Sequence, residues 1–330
     1  MKKVVLTLFT LATLASCTTT EIIDGGSGNN NAIAFGRVET RAGLSDLQTD
    51  GFGVWAVINN TLQSNYLLMN NQEVEYIDGE WGYSPTQYWV DNTTYSFVAV
   101  WPYGDGAYTL EADKTVKLTV DATPATTDYL VATNTTDTGA VDGYSSTVVL
   151  DFQHVLTSVG VKIWRDGGKH QNDQIRVRKV TLSNIKKAGT LTCNTDSWEY
   201  TGETLTAEVV DNEVSDTDNI GGAQMRDNGT LETGGTPSNP FGTMMLVPQT
   251  IDDTNKVLLK VTYDLFRQGA SKWEEGIELE AYLPNITWEA GRQYIYNVVL
   301  SSVTDITMYY ILTTVDLWGT PQVGATVIIK

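Results

Sequence analysis

Histidine and cysteine are scarce in this chain, with two of each among 330 residues. His154 falls inside an apolar alternating run, where a satisfied core or interface histidine outweighs a catalytic base; His170 lies in a turn containing Gly and Lys and reads as solvated. Neither has a Ser or Cys partner in a nucleophile context, and there is no Gly-x-Ser-x-Gly elbow, so the pattern points away from a triad and from an enzyme. Positive charge is also short: 21 Lys and Arg face 40 Asp and Glu, for a net charge of −19. Such a chain is repelled by phosphate backbones and anionic headgroups, which argues against nucleic acid and against electrostatic docking on a membrane. Long apolar runs are missing too. The best candidate, Val4 to Leu14, is too short to cross a bilayer as a helix and runs on into Thr18, Thr19 and Thr20.

What is present begins at the N-terminus. Met1-Lys2-Lys3, the apolar Val4 to Leu14 and the small residues Ala15 and Ser16 before Cys17 together read as a secretory signal over residues 1–16. Leu14-Ala15-Ser16-Cys17 resembles the lipobox of bacterial lipoproteins. That resemblance implies that Cys17 becomes the acylated first residue of the mature chain, with palmitate or a similar chain holding it to the outer membrane. Once Cys17 carries lipid, Cys193 has no partner for an intramolecular disulfide, so packing must hold the fold. Loss of Lys2 and Lys3 with the signal takes the net charge from −19 to −21.

Alternation with period two, rich in Val, Thr, Tyr and Trp, recurs along the chain, and no long capped stretch has a 3.6 period. The fold class is therefore all-β, built of short antiparallel strands packed as sandwiches. Strands are expected at Phe52 to Ile58, Tyr95 to Trp101, Thr115 to Val120 and Tyr129 to Ala132. The polar stretch Thr133 to Ser146 reads as a linker or long surface loop. It places a boundary between an N-terminal domain, 42–145, and a C-terminal domain, 146–330. The second half opens at Thr147 to Ile163 and continues through Ile175 to Leu182, Lys256 to Phe266 and Tyr294 to Leu300. Thr204 to Pro240 holds few large apolar side chains and reads mostly as an excursion loop.

Two alternative chemistries can be weighed. Asp211, Glu213, Asp216 and Asp218 cluster in that loop, but the glycine and distal glutamate of an EF-hand are missing, so a solvated loop is the better reading than calcium over 211–218. No metal or other cofactor is expected. Aromatics such as Trp55, Trp101 and Trp164 fall within or beside strands, as core packing requires. The group Trp81, Tyr83, Tyr88 and Trp89 keeps a glycan-stacking surface open, which would make the chain a monomeric surface lipoprotein that captures glycans.

The termini carry more. Residues 17–41 form a polar tether followed by a short strand with Ile33 and Phe35 on one face, and Arg41-Ala42-Gly43 presents a basic bond suited to a trypsin-like protease. At the other end, Val323, Ala325, Val327 and Ile329 make an alternating apolar row, and an uncovered row of that kind invites pairing. With Ile33-x-Phe35 and Glu39-Thr40-Arg41-Ala42 stand Phe52-Gly53-Val54-Trp55-Ala56, Asp128-Tyr129-Leu130-Val131-Ala132, Leu150-x-Phe152-x-His154-x-Leu156 and Trp288-x-Ala290-Gly291-x-x-Tyr294. This ordered set, with the lipobox, resembles the fimbrillin family of Bacteroidetes, the subunits of type V pili, over nearly the whole mature chain.

The resemblance implies two transthyretin-like antiparallel β-sandwich domains and a lipoprotein precursor that reaches the cell surface. It implies that an arginine-specific protease cuts after Arg41 and removes the strand bearing Ile33 and Phe35. A donor strand of another subunit, Val323 to Lys330 with or without Thr307 to Val315, then fills the vacated groove to build a fimbrium; a subunit whose donor strand stays home would instead be a tip adhesin. Its partners are other pilin subunits, the protease, the outer membrane through lipid, and a glycan or protein receptor.

Overall fold

The computed structural model describes residues 31–40, 44–139, 147–166, 172–211, 222–225, 231–234, 244–302, 305–313 and 326–329. In chain order the elements of the first part are β1 (Phe35–Thr40), α1 (Leu44–Asp50), β2 (Phe52–Asn59), β3 (Tyr66–Ile77), β4 (Glu80–Gly82), β5 (Thr94–Trp101), β6 (Tyr108–Leu110), β7 (Val116–Val120) and β8 (Leu130–Asp137). Next come β9 (Val148–His154), β10 (Thr157–Asp166), β11 (Gln174–Lys186), β12 (Gly189–Thr192), β13 (Ser197–Tyr200), β14 (Thr204–Asp211), β15 (Gly222–Met225) and β16 (Leu231–Gly234). The last are β17 (Met244–Leu246), β18 (Gln249–Ile251), β19 (Leu258–Phe266), β20 (Glu274–Tyr282), β21 (Ile286–Trp288), β22 (Gln293–Ser302), β23 (Asp305–Thr313) and β24 (Thr326–Ile329). Among the described residues the chain is all-β apart from one short helix.

A first sheet runs β1-β9-β8-β5-β2-β3-β4, and a four-stranded sheet, β13-β12-β7-β6, covers one of its faces. Trp55, Val98 and Val100 from the large sheet meet Val116, Leu118 and Leu191 from the small one. The opposite face buries Phe52, Val54, Phe97 and Phe152 together with Leu47, Met69 and Trp89. Because both faces are covered, β2 and β5 are apolar almost without interruption. The Asp78-Gly79 pair joins β3 to β4, with φ of 54° and 92°. Both residues need the left-handed region in such a tight hairpin, which Asp tolerates and Gly adopts freely.

A second core lies between the sheet β16-β15-β10-β22-β23-β24, with β17 also on β10, and the sheet β14-β11-β19-β20. Val159, Val161 and Ile163 from β10 and Tyr296 and Val298 from β22 pack with Val180, Leu182, Leu259 and Val261. Asp264 of β19, between the core residues Tyr263 and Leu265, is itself fully buried and is held by two arginines of β11, with Arg176 Nη2 at 2.9 Å and Arg178 Nη2 at 2.6 Å from Oδ2. Arg178 Nε and the Gly276 amide donate to Oδ1, and the Arg176 guanidinium lies 3.8 Å from the Trp273 ring centroid.

Sheet membership runs past residue 146. β9 pairs with β8 of the first sheet, and the β12–β13 hairpin pairs through β12 with β7. Residues 133–137 correct part of the loop reading, since β8 runs on to Asp137, pairing Thr133 to Asp137 with Val98 to Thr94, while residues 140–146 lie outside the described residues. Threonine's β-branch favours the pleat even where alternate side chains face water. The excursion read at 204–240 likewise begins as a strand, since β14 pairs along β11 and buries Ala207.

Cys193 is buried beside Val116 and Leu118 in the small sandwich layer. Burial pushes its thiol up to about 12, with Asp196 adding to the shift. It is therefore expected to resist iodoacetamide in the native protein at mildly alkaline pH and to react fully after denaturation, as measured by intact mass.

Candidate functional site

The edge of the first sheet holds the site. β1 is the outermost strand and pairs in parallel with β9, matching Phe35 to Val148, Val38 to Leu150 and Thr40 to Phe152. Just upstream the backbone is gripped from both sides. Val148 N–H donates to Ala34 O at 2.7 Å on one side, while Ile33 N–H donates to Gln87 O and Trp89 N–H to Asn31 O, both at 2.9 Å, on the other. The Asn31 side-chain amide donates to Trp89 O at 3.0 Å, and the Tyr83 hydroxyl donates to Ile33 O at 2.8 Å. Burial raises the Tyr83 hydroxyl pKa above its ordinary value, which keeps it a donor at neutral pH. The clasp is itself fastened, because the buried Tyr95 hydroxyl accepts from Val90 N–H at 2.7 Å.

Ile33 and Phe35 are each 2% exposed and sit in the same apolar cluster as β2, β5 and β9. The Phe35 ring lies 6.1 Å from Phe52, 5.5 Å from Tyr83 and 6.2 Å from Phe97, edge-on in each case. Edge-to-face contacts of this kind add to the burial term. Gly36 permits the close approach to β9's entrance: a Cβ there would come within 2.6 Å of Thr147. The segment from Asn31 to Thr40 therefore occupies a groove bounded by β9 and residues 83–89, with two large sockets spaced i, i+2.

Trp81, Tyr83, Tyr88 and Trp89 do not form a shared open face, which corrects the reading of them as a stacking platform. Trp89 is 3% exposed, Trp81 packs between Phe52 and Tyr76, and Tyr83 faces Ile33 and Phe35; Tyr88 alone of the four is exposed. Their aromatic surface is turned onto the N-terminal segment and the core beneath it. Sequence reasoning missed Tyr83, Gln87 and Asn31 as a clasp; the crowding of aromatics next to Gln87 was the available signal.

At the far end of the chain, Val327 and Ile329 lie on β24, paired with Tyr310 and Met308 of β23. β24 is four residues long and outermost in its sheet. The N-terminal segment and the C-terminal strand thus occupy different sheets of one chain. Cys17, Arg41, Ala42, Val323, Ala325, His170, Glu213, Asp216 and Asp218 lie outside the described residues. His154 is buried, with Nδ1 2.8 Å from Asp128 Oδ2, which ties the end of β9 to the segment before β8.

The fimbrillin-like family profile matches residues 40–314. A fimbrial protein from Bacteroides vulgatus ATCC 8482 superposes with a TM-score of 0.64 at 17% identity, over 86% of this chain and 99% of that one. Likeness at that identity speaks for the fold alone. A protein provisionally assigned to cell adhesion, from Bacteroides uniformis ATCC 8492, matches at a TM-score of 0.49 and 16% identity over 86% of this chain and 98% of its own. No curated protein matches the chain. The profile's span over most of the sequence places this chain in the fimbrillin-like family.

Proposed function

We propose that this chain is a structural subunit of a cell-surface fimbria, made as an outer-membrane lipoprotein acylated at Cys17. In this reading a protease with trypsin-like or arginine specificity cuts between Arg41 and Ala42. The segment carrying Ile33 and Phe35 leaves, and the C-terminal strand of another copy takes its place. The two packed cores are read as the two transthyretin-like domains of such a subunit, which supports adhesion and does no chemistry. Calcium has no part in this reading.

The observation that carries it is the clasped groove. A terminal segment, joined to the rest by an exposed basic bond in this reading, contributes a row of backbone hydrogen bonds and two buried side chains at a sheet edge. Val327 and Ile329 have the same i, i+2 spacing as Ile33 and Phe35, so an incoming tail can present two branched side chains to the same sockets. Each large side chain buried is worth about 1.5–3 kcal/mol before ordering costs. Because β24 is outermost, its release breaks a single strand ladder, that with β23. Head-to-tail contact of this kind does not close, so it grows a filament.

The test is limited digestion of the purified chain with an arginine-specific protease. The expected product begins at Ala42 and forms a ladder of polymers that survives unheated detergent gels, while a chain shortened to Gln322 yields the same cut without the ladder. A cleaved chain that stays monomeric on size exclusion would overturn the proposal.

A further inference from the structure

A second concavity is lined from both cores and shares β9 with the groove, since its lining residue Asp151 stands opposite Glu39 of β1. It encloses about 670 Å³, within the roughly 300–1,000 Å³ of small-molecule sites. Val131, Val155 and Leu191 supply buried apolar lining. Pro248 and Ala290 also line it, and polar groups of mixed sign stand among them: Asp151 and Gln153 from β9, Asp196 just before β13, and Arg292 just before β22, the last 3.4 Å from Glu289, with the half-buried Trp198 alongside.

Two glycines fix these walls in place. At Gly189 an added Cβ would fall 3.0 Å from Trp198 and 3.1 Å from Tyr200, so the two rings lie down over β12, parallel to within 4°. On the other side Gly291, at φ +66°, brings its loop within reach of β9's last carbonyl, and its N–H donates to Leu156 O at 2.8 Å. The next carbonyl, Arg292 O, accepts from Ser158 N–H at 2.8 Å and from the Thr157 hydroxyl. An aromatic ring and a guanidinium are thus held on separate rigid supports around one concave space.

The chemistry narrows the occupant. Asp151 and Asp196 are exposed and Gln153 is half-buried, so an apolar ligand would meet hydrated polar groups there and leave them unused. An anionic one would meet two carboxylates on a chain of net charge −19. A bare cation would meet Arg292 and make no use of the indole, and no metal-holding group of three or more ligands occurs among the described residues. Neutral hydroxyls both donate and accept, so they match carboxylates, amide and guanidinium together, and the apolar face of a sugar ring suits an indole. Neither Asp151 nor Asp196 is engaged in an ion pair among the described residues.

We propose that this cleft is a binding site for a neutral saccharide, with Trp198 as the stacking surface and Asp151, Gln153, Asp196 and Arg292 as hydroxyl partners. It shares β9 with the strand groove, while Trp198 and Arg292 belong to β13 and to the turn before β22. The test is saturation-transfer NMR and calorimetry on the full chain with lactose, maltose, cellobiose and chitobiose. Binding of at least one of them in the millimolar range is expected. Trp198→Ala should weaken it by about tenfold or more, Trp198→Phe should retain most of it, and Tyr66→Ala, an exposed aromatic elsewhere, should leave it unchanged. Asp196 is exposed, so Asp196→Asn reports on the site without disturbing the core. No binding of any of the four sugars would overturn the proposal. So would binding indifferent to both Trp198→Ala and Asp196→Asn, or binding confined to sulfated or sialylated sugars.

Discussion

Phe35→Ala is expected to release the N-terminal segment from its groove, weakening its docking by about 3–5 kcal/mol. The ring is buried against Phe52, Tyr83 and Phe97, and the surrounding sheets cannot collapse onto the space it would leave. Because the segment precedes every other described element, the loss falls on local undocking and leaves the two cores folded. Native-state hydrogen exchange provides the measurement. Amides of residues 35–40, and of Val148 facing Ala34, should exchange about a hundredfold faster or more, while those of β19 and β22 are unchanged. A variant in which the whole molecule loses stability and the segment stays as protected as its neighbours would show that the segment is an integral strand and not a separable one.

Asp264→Ala should destabilise the second half of the chain by about 3 kcal/mol, because the buried Arg176 guanidinium would remain with its counter-charge gone, whereas Arg178 is 41% exposed and keeps water. The acid limb of stability carries the same information. Burial alone would raise the Asp264 carboxyl, but the hydrogen bonds and charge of Arg178, the Gly276 amide and Arg176 outweigh it and hold the group below its ordinary value. A carboxyl lowered on folding stabilises fully above its unfolded pKa, and that contribution fades as pH falls through the folded one. Thermal unfolding of the native chain should therefore drop across the acidic range below the usual carboxylate value, and the Asp264→Asn variant should show a shallower decline. Equal slopes in the two proteins would remove Asp264 as the source.

Much of the strand pattern can be read from residue order. Phe52 to Ile58 and Tyr95 to Trp101 coincide with β2 and β5 to within a residue, because strands buried on both faces are written as near-continuous apolar runs. Ile33 and Phe35 could be placed on one face from spacing alone, since side chains alternate along a strand. Polar strands were harder. Thr133 to Asp137 looks like a loop because only its pairing with β5, and not an apolar face, makes it a strand. Helix α1 is seven residues long, too brief for a 3.6 period to register. The clasp was the least legible part, as Tyr83 and Ile33 are 50 residues apart and nothing near either one names the other. The cleft around Trp198 is hidden for the same reason: its walls come from β8, β9, β12, β13 and the turn before β22, and they meet only once both cores have formed.

The excursion from β11 through β12 and β13 back to β14 has a consequence for taking the molecule apart. It leaves the second core at Lys186, adds a hairpin to the small sheet of the first, and returns at Glu203, whose carbonyl accepts the Lys187 N–H at 3.0 Å and whose carboxylate meets Lys187 Nζ at 2.8 Å. Thr123 N–H and hydroxyl fasten the same neck, bonding to Lys187 O and Lys186 O. No one scission can divide such a chain into two self-sufficient pieces. A fragment stopping at residue 145 would lack β9, β12 and β13, leaving β7 and β8 with raw edges, and the remainder would carry a hairpin with nothing to lie on.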